Sequence, residues 1–146
     1  ARDCPLPINR DQSVLSSAWI VGTQIQRESQ AVGELGDGVV VCDRSTMDVF
    51  GFIPSPEDRP ENRALFAVSR AWLETYDAVF VQTIDPGIPV VGDGVRLLDP
   101  AYRIEVEERL LRAYRSAGCA PVLLSGSMDE RVRTILDFLE SRYGKH

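Results

Sequence analysis

Histidine is nearly absent from the sequence: the one example is His146, at the last position, so a catalytic histidine has no support. Cysteine is scarce, and Cys4, Cys42 and Cys119 are odd in number and lack metal-ligand spacing. They read as reduced thiols, with Cys42 in the core, and exclude a disulfide framework. No apolar run approaches the roughly 20 residues that a membrane-spanning helix needs, and no signal peptide is visible. We therefore expect a cytoplasmic protein with no membrane partner. Positive charge is also short: 16 Lys and Arg stand against 22 Asp and Glu, a net charge of −6. A broad electrostatic grip on nucleic acid is not expected. An anionic nucleotide can still be held locally, by backbone amides at a helix N-terminus, a few arginines and a metal ion. There are no internal repeats and no linker, so the 146 residues are read as one domain, 1–146.

What is present centres on Gly38-Val39-Val40-Val41-Cys42-Asp43-Arg44-Ser45-Thr46-Met47-Asp48. Four apolar residues without alternation predict a strand buried on both faces of a parallel sheet, running from about Val39 to Asp43. Ligands of open α/β sheets sit beyond the carboxyl ends of strands, which would put Asp43, Arg44 and Ser45 at the mouth of a crevice. Asp43 can hold Mg²⁺ or take a proton from a hydroxyl, and Arg44 can clamp phosphate oxygens. The alternative is that Asp43 caps a following helix while Arg44 pairs with it on the surface.

Around this stretch the pattern alternates between helix and strand. Asp11 or Ser13 can cap a helix running to about Val32, with Val14, Leu15, Ala18, Trp19, Gly22 and Ile25 as its buried face and with Gln24, Arg27 and Glu28 partly off that face, either solvated or, near the helix end, facing a ligand. A short segment over 46–52, expected to be helical, follows, then a polar proline-rich loop at 54–61. The next helix runs from about Glu61 to Tyr76, with Leu65, Phe66, Ser69, Trp72, Leu73 and Tyr76 as its stripe. We read Trp72 and Tyr76 as core residues rather than as a platform for stacking a base. Ala78–Ile84 is a second strand, and the order strand, loop, helix, strand is the βαβ rhythm.

The segment of about 85–98 is rich in Pro and Gly and carries Arg96 near its tip, which suits either a lid that brings positive charge to a substrate or an ordinary surface loop. Asp99-Pro100 caps a helix that ends at Gly118, with Tyr102, Val106, Leu110, Ala113 and Tyr114 facing the core. Arg103 lies beside the lid and can reach a phosphate, although Glu107 offers it an i,i+4 partner. Pro121–Leu124 is a third strand. Ser127 and Glu130 then have capping-box spacing for a last helix, whose apolar face is Val132, Ile135, Leu136, Leu139 and Tyr143. Arg131 and Arg133 oppose the helix dipole near its start, which hints that Arg131 touches a nucleotide base or phosphate.

In order and spacing, several stretches resemble the P-loop nucleoside and nucleotide kinase-like ATPases, specifically the NadR-like AAA-type ATP-binding group. They are Ala1–Pro5, Trp19 with Gly22–Glu28, Val41–Arg44 with Asp48, Tyr76–Phe80, Asp93–Arg96, Ala113–Arg115 and Glu130–Val132. The resemblance covers nearly the whole chain. It implies an α/β fold, a three-layer αβα sandwich with a mainly parallel sheet, acting on ATP with Mg²⁺. Carried over by position, it makes Asp43 the magnesium-linked acid or base, Arg44 a substrate or phosphate contact, Arg96 the lid arginine and Arg131 the adenine-side residue.

The sequence departs from that group in one respect: no Gly-x-x-x-x-Gly-Lys-Ser/Thr loop, the usual phosphate cradle, occurs in it. We therefore expect the 146 residues to be the rear part of a longer protein, preceded by some tens of residues that include a central strand. Three functions follow. The first is an ATP-dependent phosphotransferase or ATPase acting on a nucleoside-like or other small hydroxyl-bearing substrate. The second is a non-catalytic nucleotide-binding regulatory or interaction module. The third is a magnesium-dependent hydrolase with Asp43, Asp48 and Asp85 as ligands. A homo-oligomer is compatible with all three.

Overall fold

The computed structural model describes residues 3–36, 38–55, 58–85 and 99–144. In chain order these form α1 (Val14–Leu35), a 3₁₀ turn at Asp48–Gly51, α2 (Pro60–Leu73), β1 (Phe80–Gln82), α3 (Pro100–Ser116), β2 (Val122–Leu124) and α4 (Met128–Tyr143). The helix starts follow from local chemistry. Ser13 accepts the Ser16 N–H while the Ser16 hydroxyl takes the Ser13 N–H at 2.8 Å, a reciprocal cap for α1. Asp99 accepts the N–H groups of Ala101 and Tyr102 ahead of α3, and Pro100 supplies the preset φ of the first helical position. Ser127 and Glu130 form the expected capping box of α4.

β1 and β2 pair in parallel, Phe80 with Val122, Val81 with Leu123 and Gln82 with Leu124, and α3 lies in the connection between them. This is the expected βαβ unit. Among the described residues it is also the whole sheet, so they do not by themselves build a three-layer sandwich. The stretch predicted as the first buried strand differs most. Residues 39–42 make no ladder and have no regular secondary structure, and Val39 and Val41 are 73% and 90% exposed, with Cys42 exposed rather than in the core. A continuous apolar run is buried on both faces only when a strand lies on each side of it, and no described strand flanks this one.

The buried face of α1 is also not the predicted one. Leu15 is 67% exposed, whereas Ser16, Ser17, Val21 and Glu28 are buried. The serines can enter the core because both hydroxyls donate to the Ser13 carbonyl, at 3.0 and 2.9 Å, leaving no unsatisfied donor. The apolar stripe of α4 is largely exposed as well: Val132, Leu136 and Tyr143 face solvent, and Phe138 instead meets Phe80 edge-on at 5.3 Å. α2 ends at Leu73, and Tyr76 lies beyond it.

The core gathers around the Asp48–Gly51 turn. Val21, Met47, Val49, Phe50, Leu73 and Tyr114 are buried together, and the Phe50 ring meets Phe66 edge-on at 5.1 Å. The turn lies so close to α3 that a Cβ on Gly51 would stand 3.0 Å from both the Val106 side chain and its carbonyl. Among the described residues no helix is long and apolar enough to cross a membrane.

Candidate functional site

The turn that follows residues 39–42 is held by a small set of polar groups. Arg44 adopts φ 87°, a left-handed conformation that side chains other than glycine seldom take. Its guanidinium pairs with Asp48 at 3.2 Å, the arginine largely exposed and the carboxylate mostly covered. The other Asp48 oxygen accepts the Ser45 hydroxyl at 3.1 Å and the Tyr114 hydroxyl at 3.1 Å. Ser45 and Tyr114 hydroxyls are themselves 2.6 Å apart. Burial first, and then the Asp48 carboxylate, pushes the Tyr114 hydroxyl well above its ordinary pKa, so Tyr114 is a neutral donor there.

A second cluster meets the same turn from α1 and α2. Glu28 is 6% exposed and accepts three donors: Gln24 Nε2 at 2.6 Å, Trp72 Nε1 at 2.6 Å and the Tyr76 hydroxyl at 2.9 Å. Burial and the adjacent Glu28 raise the Tyr76 pKa strongly, and partial burial followed by Glu28 raises that of the Cys42 thiol. Gln24 Nε2 also donates to the Arg44 carbonyl at 3.1 Å, and the Tyr76 oxygen accepts the Thr46 N–H at 3.4 Å. Glu28 is therefore a buried hub and not a solvated residue. The reason is that three side-chain donors replace the water it gives up.

A crevice of about 160 Å³ opens at the carboxyl ends of the two strands, where parallel sheets bind ligands. Gln82, Thr83, Asp85, Ser125, Gly126 and Arg131 contribute to its lining. The Thr83 hydroxyl and N–H are both bound to the Leu124 carbonyl, which closes the ladder at this end. Arg131 donates from Nε to the Ser127 carbonyl at 3.3 Å, a bond that leaves its two terminal nitrogens to face a ligand. A larger hollow of about 410 Å³ lies at the amino ends, walled by Leu73, Tyr76, Val79, Cys119, Val122 and Phe138 among others. The smaller one is the candidate site, because it lies at the strand ends where ligands of open α/β sheets sit.

The predicted site residues separate in space. Arg131 lines the strand-end crevice, but Asp43, Arg44 and Arg103 are not among its described lining residues. Asp43 is exposed and forms no hydrogen bond or ion pair among the described residues, so it does not cap a helix. Arg44 pairs with Asp48 and not with Asp43. Glu107, the expected partner of Arg103, instead accepts the Ile84 N–H at 2.6 Å, and the Arg103 side chain has no polar partner among the described residues. Arg96, and all of the proposed lid but Asp85, lie outside the described residues. The three-aspartate ligand set for a hydrolase is not assembled: no group of three His, Cys, Asp or Glu side chains able to hold a metal occurs among the described residues, and Asp48 is engaged by Ser45, Tyr114 and Arg44.

Sequence reasoning missed Gln24, Glu28 and Tyr114 as organisers of the turn. A usable signal was present, since Trp72, Tyr76 and Tyr114 on apolar stripes each carry a polar tip that needs a partner once buried.

A family model described as an AAA domain matches residues 6–131 of the chain. No curated protein and no solved structure matches it.

Proposed function

The chain belongs to the AAA domain family, and from that premise we propose that it binds ATP with Mg²⁺ and transfers the terminal phosphoryl group to a nucleoside-like or other small hydroxyl-bearing substrate. AAA domains are nucleotide-binding domains of the P-loop NTPase type. The observation that carries the further reading is the crevice at the carboxyl ends of two parallel strands, with Arg131 in its wall.

The chemistry of that crevice favours the base and ribose end of the nucleotide. The first amides of α4 beside it are already occupied by the Ser127 and Glu130 cap, and the Glu130 carboxylate would repel phosphate. The Gln82 amide and the Arg131 guanidinium remain suited to the edge of a purine. We assign the phosphates to Arg44, with one guanidinium bond made, to Arg103 and to Arg96, of which Arg44 and Arg103 lie outside the described crevice lining.

With no three-carboxylate cluster among the described residues, Mg²⁺ fits as an ion carried on the ATP phosphates with one protein carboxylate, and the exposed, unpaired Asp43 has the chemistry for that contact. In the transfer, a substrate hydroxyl oxygen forms the new bond to the γ-phosphorus, the bond to the β–γ bridging oxygen breaks and ADP leaves. Asp43 is the group we assign to take the hydroxyl proton.

Calorimetric titration of ATP with Mg²⁺ into the full-length protein tests this reading. We expect binding, weakened about tenfold or more by Arg131→Ala, since a hydrogen bond from a charged donor is worth about 1.5–3 kcal/mol. No ATP binding overturns it. Binding without turnover on any hydroxyl acceptor favours the second reading, a non-catalytic nucleotide-binding module.

A further inference from the structure

Arg44 holds φ 87° without being glycine, so the surrounding bonds must over-determine its backbone. Asp48 grips the guanidinium from one side at 3.2 Å. From the other side Gln24 donates one amide hydrogen to the Arg44 carbonyl at 3.1 Å. That amide is not free to rotate, because the same nitrogen gives its second hydrogen to Glu28 at 2.6 Å. Glu28 in turn accepts Trp72 Nε1 and the Tyr76 hydroxyl, and the Tyr76 oxygen accepts the Thr46 N–H two residues beyond Arg44. One buried carboxylate is thus linked to both ends of the Arg44–Thr46 segment.

Burying a carboxylate is a poor way to gain stability, since apolar replacements of buried ionic groups are often as stable. At the seam between α1 and α2 a leucine could have packed against Trp72 and Tyr76. What a leucine could not do is accept three donors and so dictate which way the Gln24 amide points. We propose that Glu28 is a positioning residue for Arg44: by locking Gln24 it fixes the Arg44 carbonyl, and with it the direction in which the guanidinium is offered to nucleotide phosphate. The proposal rests on the assignment of Arg44 as a phosphate contact.

The test is a double-mutant cycle on ATP–Mg²⁺ affinity, measured by calorimetry on the full-length protein with Glu28→Gln, Arg44→Ala and the two combined. Glutamine keeps the shape but accepts fewer donors and brings two of its own. We expect Glu28→Gln to weaken binding about tenfold when Arg44 is present and less than about twofold when it is alanine, because a residue that acts through another loses its effect when that other is gone. Equal losses in both backgrounds would show a merely structural role and overturn the proposal. Gln24→Met leaves Glu28 with Trp72 and Tyr76, so it carries the same cycle should Glu28→Gln unfold. If the unsubstituted protein binds no ATP, the functional reading falls, and the ¹⁵N heteronuclear NOE of the Arg44 amide decides this one. A lower value in Glu28→Gln or Gln24→Met upholds the lock, and an unchanged value in both refutes it.

Discussion

Replacing Tyr114 by phenylalanine isolates one hydroxyl in the middle of the site's framework. The ring is 2% exposed and stays in place, so no cavity forms and only polar terms change. The hydroxyl donates to Asp48 at 3.1 Å and lies 2.6 Å from the Ser45 oxygen. A hydrogen bond to a charged acceptor is worth about 1.5–3 kcal/mol, and the upper end applies only if the acceptor is left bare. Asp48 is not left bare, because Ser45 still donates to it at 3.1 Å and Arg44 pairs with it at 3.2 Å. Ser45 likewise still accepts the Met47 N–H at 3.0 Å. We therefore expect Tyr114→Phe to cost about 2 kcal/mol. For a chain of about this size that is a fall in Tm of roughly 4–8 °C. Urea titration followed by circular dichroism, with the slope unchanged, measures it directly. Tyr114→Ala, which also empties the ring's space, should cost about 3–5 kcal/mol. A Tyr114→Phe protein within about 0.5 kcal/mol of the parent would mean that the hydroxyl merely exchanges water for Asp48, and would refute the account of the turn.

Two further outcomes follow from the same groups. Tyr76 and Tyr114 have folded-state pKa values raised above the ordinary value of 10, chiefly by burial and then by Glu28 and Asp48. The sign is that of a raised pKa: the stability they contribute is complete below pH 10 and is lost as pH climbs towards their folded values. In an alkaline titration the tyrosinate absorbance of these two should appear only as the helical signal disappears, and full ionisation of all four tyrosines with helices intact would contradict this. Gly126→Ala places a Cβ 2.5 Å from Glu130 Oε2 at a residue with φ +82°, so it should strain the backbone and break the capping box of α4. We expect a loss of about 1–3 kcal/mol in a urea titration, and a neutral substitution would show that the α4 cap contributes little.

The parts of the fold legible in the sequence are those that residues a few positions apart decide. Ser13, Asp99 with Pro100, and Ser127 with Glu130 cap helices where their spacing predicts, because each cap closes over three or four residues and needs no distant partner. The parallel pairing of Phe80–Gln82 with Val122–Leu124 follows the βαβ order. The stripes of α2 and α3 face the core as their spacing predicts, with Ser69, Leu73, Ala113 and Tyr114 buried, whereas the buried faces expected of residues 39–42, α1 and α4 failed. Val39–Cys42 reads as a strand from composition, but exposure depends on neighbours the run cannot name, and Val41 stands 90% exposed. On α1 the expected apolar stripe lost to a face holding two serines and Glu28, because hydrogen bonds inside and across helices satisfied polar groups that hydrophobic patterning sends to solvent. The partners of the charged side chains were not legible either: Arg44 pairs with Asp48 and not Asp43, and Glu107 accepts the Ile84 N–H, since several partners lie within reach of so long a side chain.

The distribution of buried polarity is itself informative. Thr46 and Glu28 are buried on separate segments, yet they belong to one chain of contacts: the Thr46 hydroxyl donates to the backbone carbonyl of Ser69 at 3.1 Å, the Thr46 N–H reaches Tyr76 at 3.4 Å, and Tyr76 donates to Glu28 at 2.9 Å. An average intramolecular hydrogen bond contributes only about 0.5–1.5 kcal/mol net, so a core chosen for stability alone has little reason to route polar groups through its centre. Hydrogen bonds do what apolar contacts cannot: they fix direction. The network converges on the turn that carries Asp43, Arg44 and Ser45, where Arg44 has φ 87° and its carbonyl accepts the Gln24 amide. Orientation of that turn, more than strength of the core, is what this arrangement of polar side chains supplies.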